Sequence, residues 1–441
     1  MTLPTQGYFS RCGVPYRSAG TLRVWTPGHY VSYPGWLSAL SSGAINGSAS
    51  AVYTIIGAKP AVKGVDITIF WPNIETAYGV YDNSIIDAHL ARCVTEGLQL
   101  CVRVSHKTFA NTDHAVPAYM QAGANDAVYG NDDGGGTSTS SGGEYKMTSG
   151  GYVVKLNIAA VYDRFVALLN HLGARYNSNP NFEMIYFNEG AQGAPSNYTQ
   201  TSAVTAGFYA NFAAMCVAAK AAAPLKIVTQ LFNYPQTRLA EIYAGLVAAG
   251  VGMGNPDIFT STIIGQTSNT DPLNHNIALA GGAAAFGSPN NVDRAYTYHA
   301  DANDKLPIIS LVSPDSWDHD CPHQTTPATY IAPATATELY NWCRDQMFTT
   351  HMFWYYINAT PAAHSMVTAY DYRDLVLSGG VVYQSKVAGT GTNTGNAVGD
   401  TTYWANLGDT FPAIDKQFYP LMDSLAGLDA GGLNATYPSL L

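Results

Sequence analysis

The chain has 441 residues, of which 47% are apolar and only 12% are charged, and its formal net charge is −10 at pH 7. This composition is that of a folded globular protein, and the length allows one large domain or two or three smaller ones. Lys and Arg are not clustered anywhere, so binding to nucleic acid or to an anionic membrane is disfavoured.

Other classes are disfavoured by what the sequence lacks. No apolar run approaches the ~20 residues that span a bilayer, and residues 1–20 show no basic segment followed by an apolar core. The six cysteines are widely spaced and form no Cys-x-x-Cys pair, so neither a disulfide framework nor a zinc ribbon is expected. Four of them lie in apolar periodic segments and are predicted to be reduced core residues.

Strand-like and helix-like segments alternate along the chain. The predicted strands are 22–25, 64–71, 98–104, 182–187, 226–231, 257–262, 306–312 and 351–357. The predicted helices are 83–97, 158–176, 206–222, 236–249, 291–299, 335–347 and 413–425, with Gly97 as the stop of the first. Two stretches rich in Gly, Asn and Thr, about 109–155 and 358–411, are predicted to be long loops.

This alternation predicts the fold class. Strands that are apolar throughout are typical of parallel sheets covered on both faces. Alternating βα units form either a doubly wound sheet or a closed barrel. The count of eight strands, and the lack of a G-x-G-x-x-G turn after the first one, favour the barrel. We therefore expect an α/β protein, a single (β/α)8 TIM barrel over residues 1–441 with long loops after strands 3 and 8.

Functional sites of such barrels lie at the carboxyl ends of the strands. The predicted strand ends carry many aromatic, amide and carboxylate side chains and few Lys or Arg residues. That inventory is typical of carbohydrate sites, whereas a phosphate or carboxylate ligand would favour Arg. The residues expected to contact a sugar, with the tryptophans as stacking platforms, are Trp25, His29, Trp71, His106, Asn188, Asn233, Trp317 and Trp354.

The Asn188-Glu189 pair at the end of the fourth strand resembles the large clan of retaining glycoside hydrolases that includes cellulases and β-galactosidases. Segment 64–82 and the position of Trp354 in the eighth strand are also similar to that clan. The resemblance implies that Glu189 is the acid/base residue. Of seven Glu residues, only Glu189 and Glu75 fall at predicted strand ends. The alternative is that Glu189 only caps the following turn.

The chain departs from that clan at the seventh strand, where the resemblance implies a nucleophilic Glu. Residues 307–315 contain none, and Asp315 is the nearest carboxylate. Asp315 could replace the Glu in a retaining site, with the two carboxyl groups ~5–5.5 Å apart. Alternatively, Asp315 or Glu75 could activate water in an inverting site, at ~6.5–9.5 Å. A third possibility is that the barrel binds sugar without hydrolysing it.

Two functions follow from the sequence. The first is a glycoside hydrolase acting on a polysaccharide, and the second is a non-catalytic carbohydrate-binding or structural subunit of a larger assembly. The chain resembles bacteriophage tail fibre and spike proteins in its low charge, its abundant Gly, Thr, Ala and Tyr, and its lack of a secretion signal. We therefore expect a virion location with other virion subunits as partners, or alternatively a cytoplasmic glycosidase. No cofactor and no metal are expected, because the Asp and His residues of 317–323 match no standard metal-site spacing.

Overall fold

Eight parallel strands close into a barrel in the computed structural model. The structure describes residues 16–18, 21–33, 40–41, 44–45, 47–123, 125–130, 142–196, 200–231, 238–256, 258, 295–313, 335–355, 362–370, 375–379, 381–386, 393–407 and 417–441. The strands are β1 Gly28–Ser32, β2 Val62–Phe70, β3 Gln99–Ser105, β4 Phe182–Phe187, β5 Ile227–Leu231, β6 Gly252–Asn255, β7 Ile308–Val312 and β8 His351–Tyr355. Each strand pairs with the next in sequence, and β8 pairs with β1. The predicted TIM barrel is therefore confirmed.

A helix follows each strand and packs outside the barrel. These strand-following helices are α1 Gly47–Gly57, α2 Ser84–Glu96, α3 Ala159–Tyr176, α4 Ser202–Ala222, α5 Leu239–Ala249, α6 Ala295–Ala302, α7 Ala336–Asp345 and α8 Tyr419–Ser424. Gly97 ends α2 in the left-handed conformation, at φ 67°, as predicted. Thr335 and Glu338 form a capping box at the start of α7, which fixes its first turn.

Two strands lie elsewhere than the sequence pattern predicted. The first barrel strand is Gly28–Ser32, whereas Thr21–Arg23 forms a small antiparallel pair with Tyr16–Ser18. The sixth is the glycine-rich Gly252–Asn255, which carries too few apolar residues to stand out as a strand. A Cβ on Gly254 would lie only 2.2 Å from Cγ1 of Ile309, because the Ile309 side chain fills that space.

Side chains along the strands alternate between the barrel interior and the surrounding core. The interior cluster is formed by Trp25, Tyr30, Cys101, Met184, Tyr186, Ile227, Leu231, Ile309, Leu311 and Phe353. Their neighbours in sequence, such as Val102, Ile185 and Trp354, pack outward against the helices. Four cysteines, Cys93, Cys101, Cys216 and Cys343, are buried reduced thiols, as predicted.

The C-terminal tail closes the amino-terminal end of the barrel. Trp25 Nε1 donates to the carbonyl of Ala435 at 3.1 Å, and the His29 ring contacts the carbonyl of Gly431 at 3.1 Å. A turn of 3-10 helix at Asp429–Gly432 brings Gly431 against His29. The φ angle of Gly431 is +58°, in the left-handed region. This end of the barrel is therefore filled, and the opposite end remains as the mouth.

Helix α4 is more apolar than the sequence analysis allowed. Its 21 residues are long and apolar enough to cross a membrane by length and composition. In the structure its apolar side chains Phe208, Phe212 and Met215 are buried in the core around the barrel. The expectation that no such apolar stretch exists was therefore wrong, and α4 is a core helix of this fold.

The two predicted long loops contain short elements. Between β3 and α3 lie a 3-10 turn Ala118–Met120, a short helix Asp126–Tyr129 and an antiparallel pair Glu144–Lys146 with Tyr152–Val154. After β8 lies a sheet of Ala362–Ala363, Leu375–Ser378, Val381–Ser385 and Trp404–Asn406. Short elements elsewhere are strands Leu40–Ser41, Ala44–Ile45, Glu75–Ala77 and Val80–Tyr81 and the helix Trp71–Ile74.

Candidate active site at the barrel mouth

An ion pair links the ends of two neighbouring strands at the mouth. Glu189 follows β4 by two residues, and its Oε1 accepts a hydrogen bond from Nζ of Lys107 at 2.6 Å. Lys107 follows β3 and also donates to the carbonyl of Ala191 at 3.2 Å. The Lys107 side chain is 5% exposed and that of Glu189 is 19% exposed. The Glu189 carboxylate is thus oriented by a buried cation while it stays in contact with solvent.

Asn188 is buried and ties this segment to both adjacent strands. Its Nδ2 donates to Oγ of Ser105 and, at 3.2 Å, to the carbonyl of Lys107. Its own carbonyl accepts a hydrogen bond of 2.5 Å from Nε2 of Gln230 on β5. The backbone that carries Glu189 is therefore held from two sides, as a positioned catalytic or binding group requires.

Aromatic and basic groups surround the ion pair. Phe109 is 64% exposed, and the Lys107 ammonium lies 4.9 Å from the centre of its ring. On the other side, the Tyr209 hydroxyl donates to the carbonyl of Gly190 at 3.0 Å. Burial raises the pKa of Tyr209 to about 12, and the nearby charge of Glu189 acts in the same direction. An exposed aromatic face beside a fixed carboxylate is an arrangement that suits a sugar ring.

A polar cluster lies deeper in the barrel. Asp66 on β2 is buried, and its Oδ2 accepts a hydrogen bond from Oγ of Ser32 at 2.7 Å. Arg103 on β3 donates from Nε to Thr68 Oγ1 at 2.8 Å, and its guanidinium lies 5.7 Å from the centre of the Tyr186 ring. Burial raises the pKa of the Asp66 carboxyl, although Arg103, Tyr186 and Ser32 each oppose that rise.

This interior cluster is not uniformly buried. Thr68, Arg103 and Tyr355 are each only partly buried, whereas Tyr186, which is level with Arg103, and Asp66, which lies two residues deeper on β2, are fully buried. Tyr355 ends β8, and burial raises its pKa while the charge of Arg103 lowers it. The lower interior is filled by apolar side chains.

Glu75, one of the three proposed catalytic carboxylates, lies in a closed network. It is fully buried, and its Oε2 accepts a hydrogen bond from Nε1 of Trp71 at 2.7 Å. Its Oε1 accepts from the Tyr119 hydroxyl at 2.9 Å, from the Gly79 amide at 2.8 Å, and from Arg164. These contacts hold Glu75 on the β2 side of the barrel, and its role as a water-activating base stays a prediction.

The other predicted site residues are dispersed. Trp71 and Trp354 are fully buried, and Trp354 faces the outer core, where its Nε1 donates to Nδ1 of His29 at 2.9 Å. Trp25 and His29 lie at the amino-terminal end of the barrel, because the first strand begins later than predicted. His106 follows β3 but is buried between the barrel and α4, 5.5 Å from the ring of Phe212.

Asp315, Trp317 and Asn233 lie outside the described residues. The pairing of Glu189 with Asp315, and the carboxyl spacing that would distinguish retaining from inverting hydrolysis, therefore stay predictions.

The sequence analysis missed the basic groups of the site. In β3, the outward residues Leu100, Val102 and Val104 alternate with the inward residues Cys101 and Arg103. This alternation was readable in the sequence and would have placed Arg103 inside the barrel. Lys107 lies past the strand end, and its approach to Glu189 is set by the chain path after β3, which no local pattern reports.

Comparisons with known proteins concern the barrel. No protein-family model and no curated protein matches this sequence. Among solved structures, the catalytic domain of β-amylase from Paenibacillus polymyxa aligns over 75% of this chain and 93% of its own, at 10% identity and a TM-score of 0.43. Endo-glycoceramidase II from Rhodococcus sp. aligns over 83% of this chain and 85% of its own, at 12% identity and a TM-score of 0.41.

A β-galactosidase from Rahnella sp. R3 aligns over 76% of this chain and 51% of its own, at 11% identity and a TM-score of 0.46. These neighbours are glycoside hydrolases by name. The fold of the present chain is assigned from its own closed strand order, and its function is argued below from its own side chains.

Proposed function

We propose that this protein is a glycoside-hydrolase-like barrel that binds a polysaccharide at its mouth and uses Glu189 as the acid/base group. The observation that supports this most is the fixed position of Glu189. Its backbone is tied to β3 and β5 through Asn188, and its carboxylate is held at 2.6 Å by Lys107 yet remains partly exposed. A group that transfers a proton to a glycosidic oxygen needs such a defined position at an open strand end.

The surroundings supply groups for sugar binding. The exposed ring of Phe109 offers an apolar face, and Asn188 and Lys107 lie within the same hydrogen-bonded unit as Glu189. Asp315 is the proposed partner carboxylate, since it follows β7 in the chain.

We further propose that the protein is part of a bacteriophage tail, on the compositional resemblance alone. Mass spectrometry of purified phage particles that contain or lack this chain tests that location.

A second function is favoured by the ion pair itself. A carboxylate engaged by Lys107 is well suited to accept hydrogen bonds from sugar hydroxyl groups. In that case the barrel binds polysaccharide without cleaving it and serves as a recognition subunit. The two functions share the same mouth and differ only in whether Glu189 transfers a proton.

The test compares the unmodified protein with Glu189→Gln on a panel of bacterial and plant polysaccharides, with new reducing ends as the readout of cleavage and co-sedimentation as the readout of binding. We expect cleavage to fall by about 10² or more, as for loss of a general acid. Glu96→Gln is the matched control, because Glu96 is 20% exposed, pairs with Arg92 at 2.9 Å and ends α2 far from the mouth. Binding without cleavage by the unmodified protein would support the recognition function. If the unmodified protein showed no binding and no cleavage, both proposed functions would be overturned.

A further inference from the structure

We propose that the bound polysaccharide extends along the rim of the mouth from Glu189 to Tyr78, and that the Tyr78 ring is a second stacking platform for one of its sugar units. The inference rests on the proposed function and deepens it, because it makes the ligand a chain of several units. It starts from the exposure of Tyr78, which is 65% exposed in the loop after β2.

Exposed aromatic rings are rare in the described part of this chain. Among the Phe, Tyr and Trp residues that the structure describes, Tyr78 and Phe109 are the two that are mostly exposed, at 65% and 64%. Tyr78 follows β2 and Phe109 follows β3, so both lie on loops at the carboxyl ends of neighbouring strands. Two solvent-exposed rings on adjacent loops of one rim indicate a surface for a ligand.

The Tyr78 ring is held from one side by the side chain of Arg164 on α3. The guanidinium carbon of Arg164 lies 4.2 Å from the ring centre, in a cation–π contact. Arg164 donates hydrogen bonds to Glu75 and, at 3.2 Å, to the Tyr119 hydroxyl, and its side chain is 14% exposed. A ring that is already ordered loses little side-chain freedom when a ligand stacks on it, which favours binding.

The opposite face of the Tyr78 ring is open. The Tyr119 ring lies 5.6 Å away between centres, with the two planes at 66°, so it makes an edge contact and does not stack on Tyr78. The exposed 65% of Tyr78 therefore includes the face opposite Arg164. A free aromatic face of this kind suits the apolar face of a sugar ring.

The hairpin that carries Tyr78 has a fixed backbone. Gly79 adopts a φ of 70°, in the left-handed region that favours glycine, and joins the paired strands Glu75–Ala77 and Val80–Tyr81. The Gly79 amide donates to the buried Glu75 carboxylate at 2.8 Å. Glu75 thus anchors both the turn beside Tyr78 and the Arg164 side chain against its ring. Glu75 therefore has a positioning role for this platform.

The platform is continuous with the candidate active site. Tyr119, which contacts Tyr78, belongs to the same loop after β3 as Phe109. At the other end of that loop, the Lys107 ammonium lies 4.9 Å from the centre of the Phe109 ring and is bonded to Glu189. Neighbouring strands lie ~4.8 Å apart, so the ends of β2 and β4 are about 10 Å apart. A ligand that contacts both ends is therefore longer than one sugar unit.

The experiment is affinity electrophoresis of the full chain through native gels that contain xylan, galactomannan, mixed-linkage β-glucan, dextran or bacterial lipopolysaccharide. We expect at least one polysaccharide to retard the unmodified protein, and Tyr78→Ala to lower the affinity for it about tenfold. Tyr78→Phe keeps the ring and should keep the affinity. Val94→Ala is the matched control, because Val94 is 56% exposed on α2, and it should leave the affinity unchanged.

The length of the saccharide separates Tyr78 from the site around Glu189. Fragments of two and six units, made from the retarding polysaccharide, are used as competitors. A two-unit fragment should compete equally well for the unmodified protein and for Tyr78→Ala, because it does not reach both ends of the rim. A six-unit fragment should compete about tenfold less well for the variant, since a chain that spans two contacts gains affinity from both.

Thermal unfolding of each variant shows whether it is folded. Unchanged retardation of a folded Tyr78→Ala variant would overturn the inference and leave the proposed function intact. An equal loss for both fragments would also overturn it, and so would self-association of the unmodified protein that Tyr78→Ala abolishes, because a second copy would then cover the ring. Retardation by none of the polysaccharides would overturn it as well, and the cleavage assay with Glu189→Gln then decides separately whether the proposed function stands.

Discussion

Lys107 and Glu189 form an ion pair of 2.6 Å across the ends of β3 and β4, with only 5% and 19% of their side chains exposed. The pair connects two features that are separate in the sequence, a strand-end acid and a loop cation 82 residues earlier. It is less exposed than an ordinary surface salt bridge, and removal of one partner leaves a poorly solvated charge behind.

The first prediction is therefore a coupling between these two residues. Lys107→Met alone should lower the free energy of unfolding by about 1–3 kcal/mol, because Glu189 then loses its cation. The double variant Lys107→Met with Glu189→Gln should be less destabilised than the sum of the single changes, by about 0.5–3 kcal/mol. Urea denaturation of all four proteins measures this, and additive effects would show that the pair is not coupled in solution.

The second prediction separates Glu75 from catalysis. Glu75→Gln removes a fully buried charge that the largely buried Arg164 faces, so the free energy of unfolding should drop by about 3–5 kcal/mol. Asp87→Asn serves as the control, since the Arg175–Asp87 pair is 46% and 40% exposed and should contribute less than about 1 kcal/mol. Loss of polysaccharide cleavage in a Glu75→Gln variant of unchanged stability would instead identify Glu75 as a catalytic residue.

The barrel was predictable because each unit repeats one simple pattern, a buried apolar strand followed by an amphipathic helix. Strand β6 did not show this pattern, since Gly254 makes room for Ile309, Gly252 lies against Pro307, and the two glycines leave little apolar signal. The candidate site was predictable only in part. Asn188 and Glu189 lie at the mouth as expected, but Trp25 and His29 moved to the opposite end through a shift of a few residues in the boundary of β1.

Of the tryptophans expected to stack on a sugar, Trp71 and Trp354 are buried, and for Trp354 the reason is related. A strand presents alternate residues to opposite sides, so one position decides whether a ring faces the ligand or the helices. Trp354 faces outward and Tyr355 faces the interior, next to Arg103. Composition alone can therefore indicate a carbohydrate site, but it cannot say which aromatic residues belong to it.

The third prediction concerns His106, which was expected to contact a ligand. Both of its ring nitrogens are buried, and within the part of the chain that the structure describes neither has a hydrogen-bond partner. Its ring packs against Phe208 and Phe212. His106→Leu should therefore raise the free energy of unfolding by about 1 kcal/mol, because an unsatisfied polar ring is replaced by an apolar side chain.

His299→Leu is the matched control, because that ring contacts the carbonyl of Met347 at 3.0 Å and Asn255 at 3.1 Å. Loss of the His299 ring should lower the free energy of unfolding by about 1–3 kcal/mol. Burial lowers the pKa of His106 to about 3 and that of His299 to about 4, from 6.5. As the pH falls below about 6.5, the unfolded chain binds protons at these histidines and the folded protein does not, so the free energy of unfolding decreases on acidification. In the His106→Leu variant this decrease should be smaller. A His106→Leu variant that is less stable at neutral pH would contradict this account.

The fourth prediction follows from the opposite shift at Asp66. Burial raises the pKa of this carboxyl above 3.8, so the folded protein binds its proton more readily than the unfolded chain. In the pH range just above 3.8, the Asp66 contribution to stability is therefore greatest at the acid end and is lost as the pH rises through the folded pKa. Asp66→Asn keeps an acceptor for Ser32 but cannot titrate. Relative to the Asn variant, the unmodified protein should thus be more stable at about pH 4 than at about pH 7, as measured by chemical denaturation. A difference between the two proteins that is the same at both pH values would show that Asp66 is ionised in the fold as readily as in the unfolded chain, and that Arg103 then neutralises it.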